Sequence, residues 1–99
     1  MTVHILPPAE DDLDAAVAYY ASIDPQLAHR LLCEFEAILE RIETHPLLYR
    51  KRPGEYHRVN LHVFPYYVSY IIRMERILIV ALASSDLPED WLERLPQTH

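Results

Sequence analysis

The chain has 99 residues, 51% apolar and 24% charged, with a net charge of −6. That is globular composition and one domain's worth of chain, enough for a single core and too little for a second. One cysteine (Cys33) excludes a disulfide framework, one glycine (Gly54) excludes a glycine-rich phosphate loop, and no apolar run approaches the roughly 18 residues of a membrane span. The expected setting is therefore the reducing cytoplasm, with no membrane contact, no basic-then-apolar leader, no metal and no cofactor. The charge is unevenly spread. Residues 1–46 carry nine acids against two bases, residues 47–83 two acids against six bases, and residues 84–99 four acids against one base. The positive charge thus gathers in the middle of the chain, where a local basic patch can attract an anionic partner although the whole is acidic.

In chain order, Thr2-Val3-His4-Ile5-Leu6 is a short apolar run stopped by Pro7-Pro8, which predicts a first strand tied into a sheet. From Pro8 the period changes to 3.6, with Leu13, Val17 and Tyr20 on one face and Ala9 and Ala16 beside them. Glu10, Asp11, Asp12 and Asp14 crowd the start of this helix and read as a solvated, dipole-favoured first turn. Ser22-Ile23-Asp24-Pro25 ends the helix and starts another, with Asp24 as N-cap and Pro25 as first helical residue. Leu27, Leu31, Phe35, Ile38 and Ile42 then predict a long amphipathic helix to about Thr44. The two helices form an antiparallel hairpin whose apolar faces must cover something. Cys33 lies off the main stripe and reads as a packing residue.

His45-Pro46 closes the long helix, and residues 47–54 form a connecting loop in which Arg50, Lys51 and Arg52 stand together before a Pro-Gly turn. Residues 55–64, 65–72 and 76–83 are rich in β-branched and aromatic side chains and are separated by a Phe-Pro step and by a polar turn, the signature of an antiparallel meander. On the first of these strands His57, Val59, Leu61 and Val63 form the set facing the helices, leaving Tyr56, Arg58, Asn60 and His62 on the open face. Arg with aromatic neighbours suits phosphates or bases. The next strand puts Tyr66, Val68, Tyr70 and Ile72 on one side and Tyr67, Ser69, Ile71 and Arg73 on the other. Residues 76–83 have no polar face and belong in the middle of the sheet. Ser84 and Ser85 read as a strand-end turn, and Trp91 as an anchor folding the carboxy-terminal turn back onto the sheet.

The helix pair ending in His45-Pro46, the basic Arg50-Lys51-Arg52 loop, Tyr56-His57-Arg58, Phe64-Pro65-Tyr66-Tyr67-Val68-Ser69-Tyr70, Ile77-Leu78-Ile79-Val80-Ala81, and Pro88-Glu89-Asp90-Trp91 with Arg94 together resemble the RelE/ParE superfamily of toxins, often labelled plasmid stabilisation proteins. The resemblance covers nearly the whole chain. It implies an α+β fold: an N-terminal strand, a two-helix hairpin on one face of a twisted, mainly antiparallel four-stranded sheet, and a short C-terminal helical turn. It also implies a cognate antitoxin from the adjacent gene in a hetero-oligomer with this chain. Many members carry an Ala-His step and then arginines before the Pro-x-x-Trp ending; here Leu82-Ala83 and Asp86-Leu87 stand in those places. The resemblance therefore points to the ParE branch, whose members bind and inhibit DNA gyrase. The alternatives are a RelE-like mRNA endonuclease on the ribosome, with Arg58, His62 and Tyr70 as catalytic candidates, and a non-toxic member that keeps only antitoxin binding. Arg50, Lys51, Arg52 and Arg58 are the candidates for contact with target or nucleic acid. Tyr67 and Ile71, on an exposed sheet face, and Trp91 are those for the antitoxin.

Overall fold

The computed structural model describes residues 1–96. Strand β1 (Thr2–Ile5) leads into helices α1 (Pro7–Ile23) and α2 (Pro25–Thr44), and strands β2 (Lys51–Arg52), β3 (Tyr56–Asn60), β4 (Tyr66–Arg73) and β5 (Arg76–Ser84) follow. A 3-10 turn, Asp90–Arg94, comes last. The strands form one sheet in the order β1-β5-β4-β3-β2; β1 runs parallel to β5 and every other pairing is antiparallel. The two-residue β2 is a fifth strand beyond the four expected, formed where the basic loop pairs with the start of β3.

Local signals explain the element boundaries. Pro7 and Pro25 occupy helix starts, where a missing N–H leaves nothing unsatisfied, and the Asp24 carboxylate accepts the Gln26 N–H at 2.9 Å as an N-cap. The buried face of α2 is Ala28, Leu31, Phe35, Ile38 and Ile42, so Ala28 opens the stripe and Leu27 lies beside it. Ala9 and Ala16 are the fully covered residues of α1, because α1 packs closely on β5 and only small side chains fit between. The core between helices and sheet joins Leu31, Phe35, Ile38 and Ile42 to Val59, Val68, Tyr70, Ile77, Ile79 and Leu82. Each large side chain there contributes about 1.5–3 kcal/mol by leaving water, and Phe35→Ala would cost about 3–5 kcal/mol.

β5 is paired on both sides, as its unbroken apolar run predicts. Its alternation is broken once. Ser69 pairs with Ala81 and Tyr70 with Ile79, so Val80 is an extra residue and β5 bulges there. Beyond Ile5 the edge of β5 is closed without a strand: Leu6 N–H donates to the Ile79 carbonyl at 3.1 Å, and Leu82 N–H donates to Asp12 Oδ2 at 3.1 Å. Asp12 is thus turned inward, not part of a solvated helix start.

β3 ends earlier than its sequence pattern suggests. Glu34 on α2 accepts the N–H groups of His62 at 2.8 Å and Val63 at 3.3 Å, and this carboxylate folds residues 61–65 into a turn. Val63 is accordingly exposed instead of facing the helices.

Candidate functional site around Arg58

The sheet face away from the helices carries Tyr56 and Arg58 from β3, Tyr67, Ser69 and Ile71 from β4, and Leu78, Val80, Ala81 and Ala83 from β5. It is not open. Trp91 of the C-terminal 3-10 turn lies on it, 5% exposed, with edge-on contacts to Tyr56 (4.8 Å, 90°) and Tyr67 (6.1 Å, 65°). The indole N–H donates to the Tyr67 hydroxyl at 2.6 Å. Tyr67 and Ile71 are therefore buried by the chain's own C-terminal turn, which corrects the expectation of an exposed face; the anchoring role expected of Trp91 is what the structure shows.

Arg58 lies at the rim of this layer. Its guanidinium carbon is 3.7 Å from the Tyr67 ring centroid, its Nε donates to Asn60 Oδ1 at 3.2 Å, and its Nη1 is 3.9 Å from Glu89 Oε1. The other Glu89 oxygen accepts the Tyr56 hydroxyl at 3.2 Å. Burial first, and the Glu89 charge second, raise the Tyr56 pKa. The far end of the turn is fixed by Arg94, whose guanidinium grips Asp12 with contacts of 2.7 and 3.1 Å and donates to the Val80 carbonyl at the bulge at 3.1 Å. Its hydrogen bonds to Asp12 raise the Arg94 pKa against the opposing effect of burial.

The other candidate residues are dispersed. His62 lies in the turn after β3, held by its backbone, and is not on the sheet. Tyr70 is fully buried on the opposite, helix-facing side, where its hydroxyl donates to the Pro46 carbonyl at 2.7 Å and burial, ahead of the Tyr49 hydroxyl, pushes its pKa up to about 12. The His57 ring stacks on it at 4.9 Å and hydrogen-bonds the Tyr49 carbonyl through Nδ1 at 2.8 Å, so the pair pins the 45–50 loop. Arg58, His62 and Tyr70 thus stand in three separate places. The basic triplet is split as well. Lys51 pairs with His57 and Arg52 with Tyr56, so strand alternation sends Lys51 to the helix side and Arg52 to the Arg58 side, with Arg50 exposed before the strand. Lys51 also contacts Glu55 at 3.1 Å.

With this geometry the sequence matches the family model described as the ParE toxin of the type II toxin–antitoxin system, parDE, over residues 3–86. The chain belongs to the ParE toxin family. No curated protein matches it. Among solved structures, a chain of the chromosomal ParDE toxin–antitoxin system from P. aeruginosa is similar in fold, with a TM-score of 0.75 and 17% identity over 85% of this chain and 95% of that one. The ParE match ends before Glu89, Trp91 and Arg94, so the carboxylate facing Arg58 and the turn lying on the sheet face are beyond the matched span. Glu89 and Asp12 are the site residues whose roles escape sequence reasoning. Asp12 meets a partner 82 positions away, and nothing in its local pattern separates it from its acidic neighbours.

Proposed function

We propose that this ParE-family chain is a toxin that acts in the cytoplasm by binding its target, DNA gyrase first among the candidates, and that a cognate antitoxin from the adjacent gene neutralises it. The observation that carries this reading is the state of Arg58. The guanidinium is stacked on Tyr67 and faces Glu89, with His62 off the sheet and the Tyr70 hydroxyl engaged on the other side of it. Cleavage of RNA by its own 2′-hydroxyl needs groups that take and give protons around the phosphate. A stacked arginine is suited to gripping a partner instead. Arg52 and Arg58, on one side of the sheet, are the proposed target contacts, with Arg50 and Lys51 at the margin. Trp91, within the covering turn, and Tyr67 and Ile71 beneath it remain proposed antitoxin contacts; the exposed Leu87 and Leu92 are what a partner would meet first.

A second reading has one specific observation in its favour. Glu89 offsets the charge of Arg58, which is what a member retaining antitoxin binding without toxicity would show. The readings separate by growth after induction of this chain alone or with the product of the adjacent reading frame, followed by gyrase supercoiling and message cleavage in translating extract. Arrest relieved by the neighbour, with supercoiling blocked, is the expected result. Cleaved message with intact supercoiling would replace it with the endonuclease, and normal growth from folded protein with the non-toxic binder.

A further inference from the structure

Arg58 is held in position before any partner arrives. Its guanidinium carbon lies 3.7 Å from the centre of the Tyr67 ring, and its Nε donates to Asn60 at 3.2 Å. The ring is fixed in turn by the Trp91 indole, which donates to the Tyr67 hydroxyl at 2.6 Å. A cation ordered in this way loses little freedom when an anion joins it. Glu89 stands beyond it, and the two donors around that carboxylate are divided between its two oxygens. Nη1 of Arg58 approaches Oε1, while the Tyr56 hydroxyl donates to Oε2 at 3.2 Å. Arg52, opposite Tyr56 in the β2–β3 register, brings a second cation to the same side and has no ion pair among the described residues.

Glu89 fills this seat loosely. Its contact with Nη1 is 3.9 Å, against about 2.7–2.9 Å for a charge-assisted hydrogen bond, and its side chain is 40% exposed. A pair so far apart and so wet exchanges readily for a better one. We infer that the seat between Arg58 and Tyr56 receives an acidic side chain of a partner protein, and that Glu89 is a built-in competitor that swings out to admit it. A carboxylate is the occupant because the two donors are already set for one, an oxygen to each. The inference rests on the reading of Arg58 as a target contact, and adds what Arg58 recognises and what opposes it.

The test is a titration of the ¹⁵N-labelled full chain with acetyl-Glu-amide, read at the Arg58 Nε–H and the Trp91 indole N–H. Binding should tighten about fivefold in Glu89→Ala, the equivalent of an exposed ion pair at its strongest. A gain is expected in Glu89→Gln as well, which keeps an acceptor for Tyr56 and drops the charge. Acetyl-Gln-amide should not bind, and Arg58→Gln should abolish the Trp91 shift. Glu93→Ala, which removes the same charge from the same turn, should match the wild-type chain. No saturable shift, equal affinity in the wild-type chain and both Glu89 variants, or an equal gain in Glu93→Ala would each overturn the proposal. So would tighter binding of dimethyl phosphate than of acetyl-Glu-amide, which would assign the seat to a nucleic-acid backbone. Against gyrase, Glu89→Ala should block supercoiling at a concentration about fivefold lower than the wild-type chain. If neither blocks it, the gyrase reading falls, and the titration still decides the seat.

Discussion

Arg94→Ala tests whether the cover over the Arg58 face is held by its clamp. The Arg94–Asp12 contact has two prongs, at 2.7 and 3.1 Å, and the two side chains are 29% and 22% exposed. An exposed pair contributes up to about 1 kcal/mol, while breaking a fully buried one costs about 3–5 kcal/mol. A two-pronged pair with a quarter of its surface in water falls between, at a coupling of about 1.5 kcal/mol. Asp12→Ala carries an added cost of about 1 kcal/mol, because the Leu82 N–H loses its acceptor. Arg94→Ala should therefore lose about 1–2 kcal/mol, Asp12→Ala about 2–3, and the double variant about 2.5, well short of their sum. Urea unfolding followed by fluorescence reads this directly, since Trp91 is the sole tryptophan and sits in the turn being released. Native emission of Arg94→Ala should also move to longer wavelength as the indole gains water. A coupling under about 0.3 kcal/mol, within ordinary additivity, would refute the clamp.

Raising the pH should expose the buried tyrosine. Tyr70 titrates near 10 when unfolded and at about 12 when folded, so its contribution is complete below pH 10 and is lost as pH climbs through 12, at up to about 1.4 kcal/mol per unit. Tyr70→Phe should lack that part of the slope in urea melts at pH 9 to 12, and an unchanged slope would contradict it. The β4–β5 turn holds Met74 at φ 51 and Glu75 at φ 61, a left-handed pair without glycine, so Met74→Asn with Glu75→Gly should gain about 0.5–1 kcal/mol in the same measurement. Ser69 has a hydroxyl that is fully buried and has no hydrogen-bond partner among the described residues; Ser69→Ala should be neutral or stabilising by about 1 kcal/mol, and a loss above that would mean the hydroxyl has a partner.

The helices were legible because their signals are local. Asp24-Pro25 marks a boundary by chemistry that operates within three residues, and the period of α2 states its own buried face. β5 was legible as a central strand for a similar reason, since a run with no polar face has nowhere else to go. β2 was not, because two residues carry no period. Residues 61–64 misled because Leu61, Val63 and Phe64 continue a strand-like pattern that Glu34, reaching across from another element, overrides. At the site, the place of Arg58 on the face away from the helices was visible in strand alternation, and Trp91 as an anchor in its isolation; the stacking of Arg58 on Tyr67 was not. The closure of the face was not. It depends on Glu89 and on the Asp12–Arg94 pair, and acids that look interchangeable in a sequence are sorted only by what the fold sets opposite them.

The position of β5 has a consequence in time. The strand between β1 and β4 is also the last one synthesised, so β1 waits for Arg76–Ile79 before it has anything to lie against. At about 5–20 residues per second that interval is roughly 4 to 15 seconds, and α2, complete at Thr44, holds its apolar face without the finished sheet for about the second half of it. Closure then depends on contacts between distant parts of the chain, which form more slowly than local ones. The Arg58 face, the clamp beside it and any partner surface built on them come into being together, as a late event in the life of each molecule.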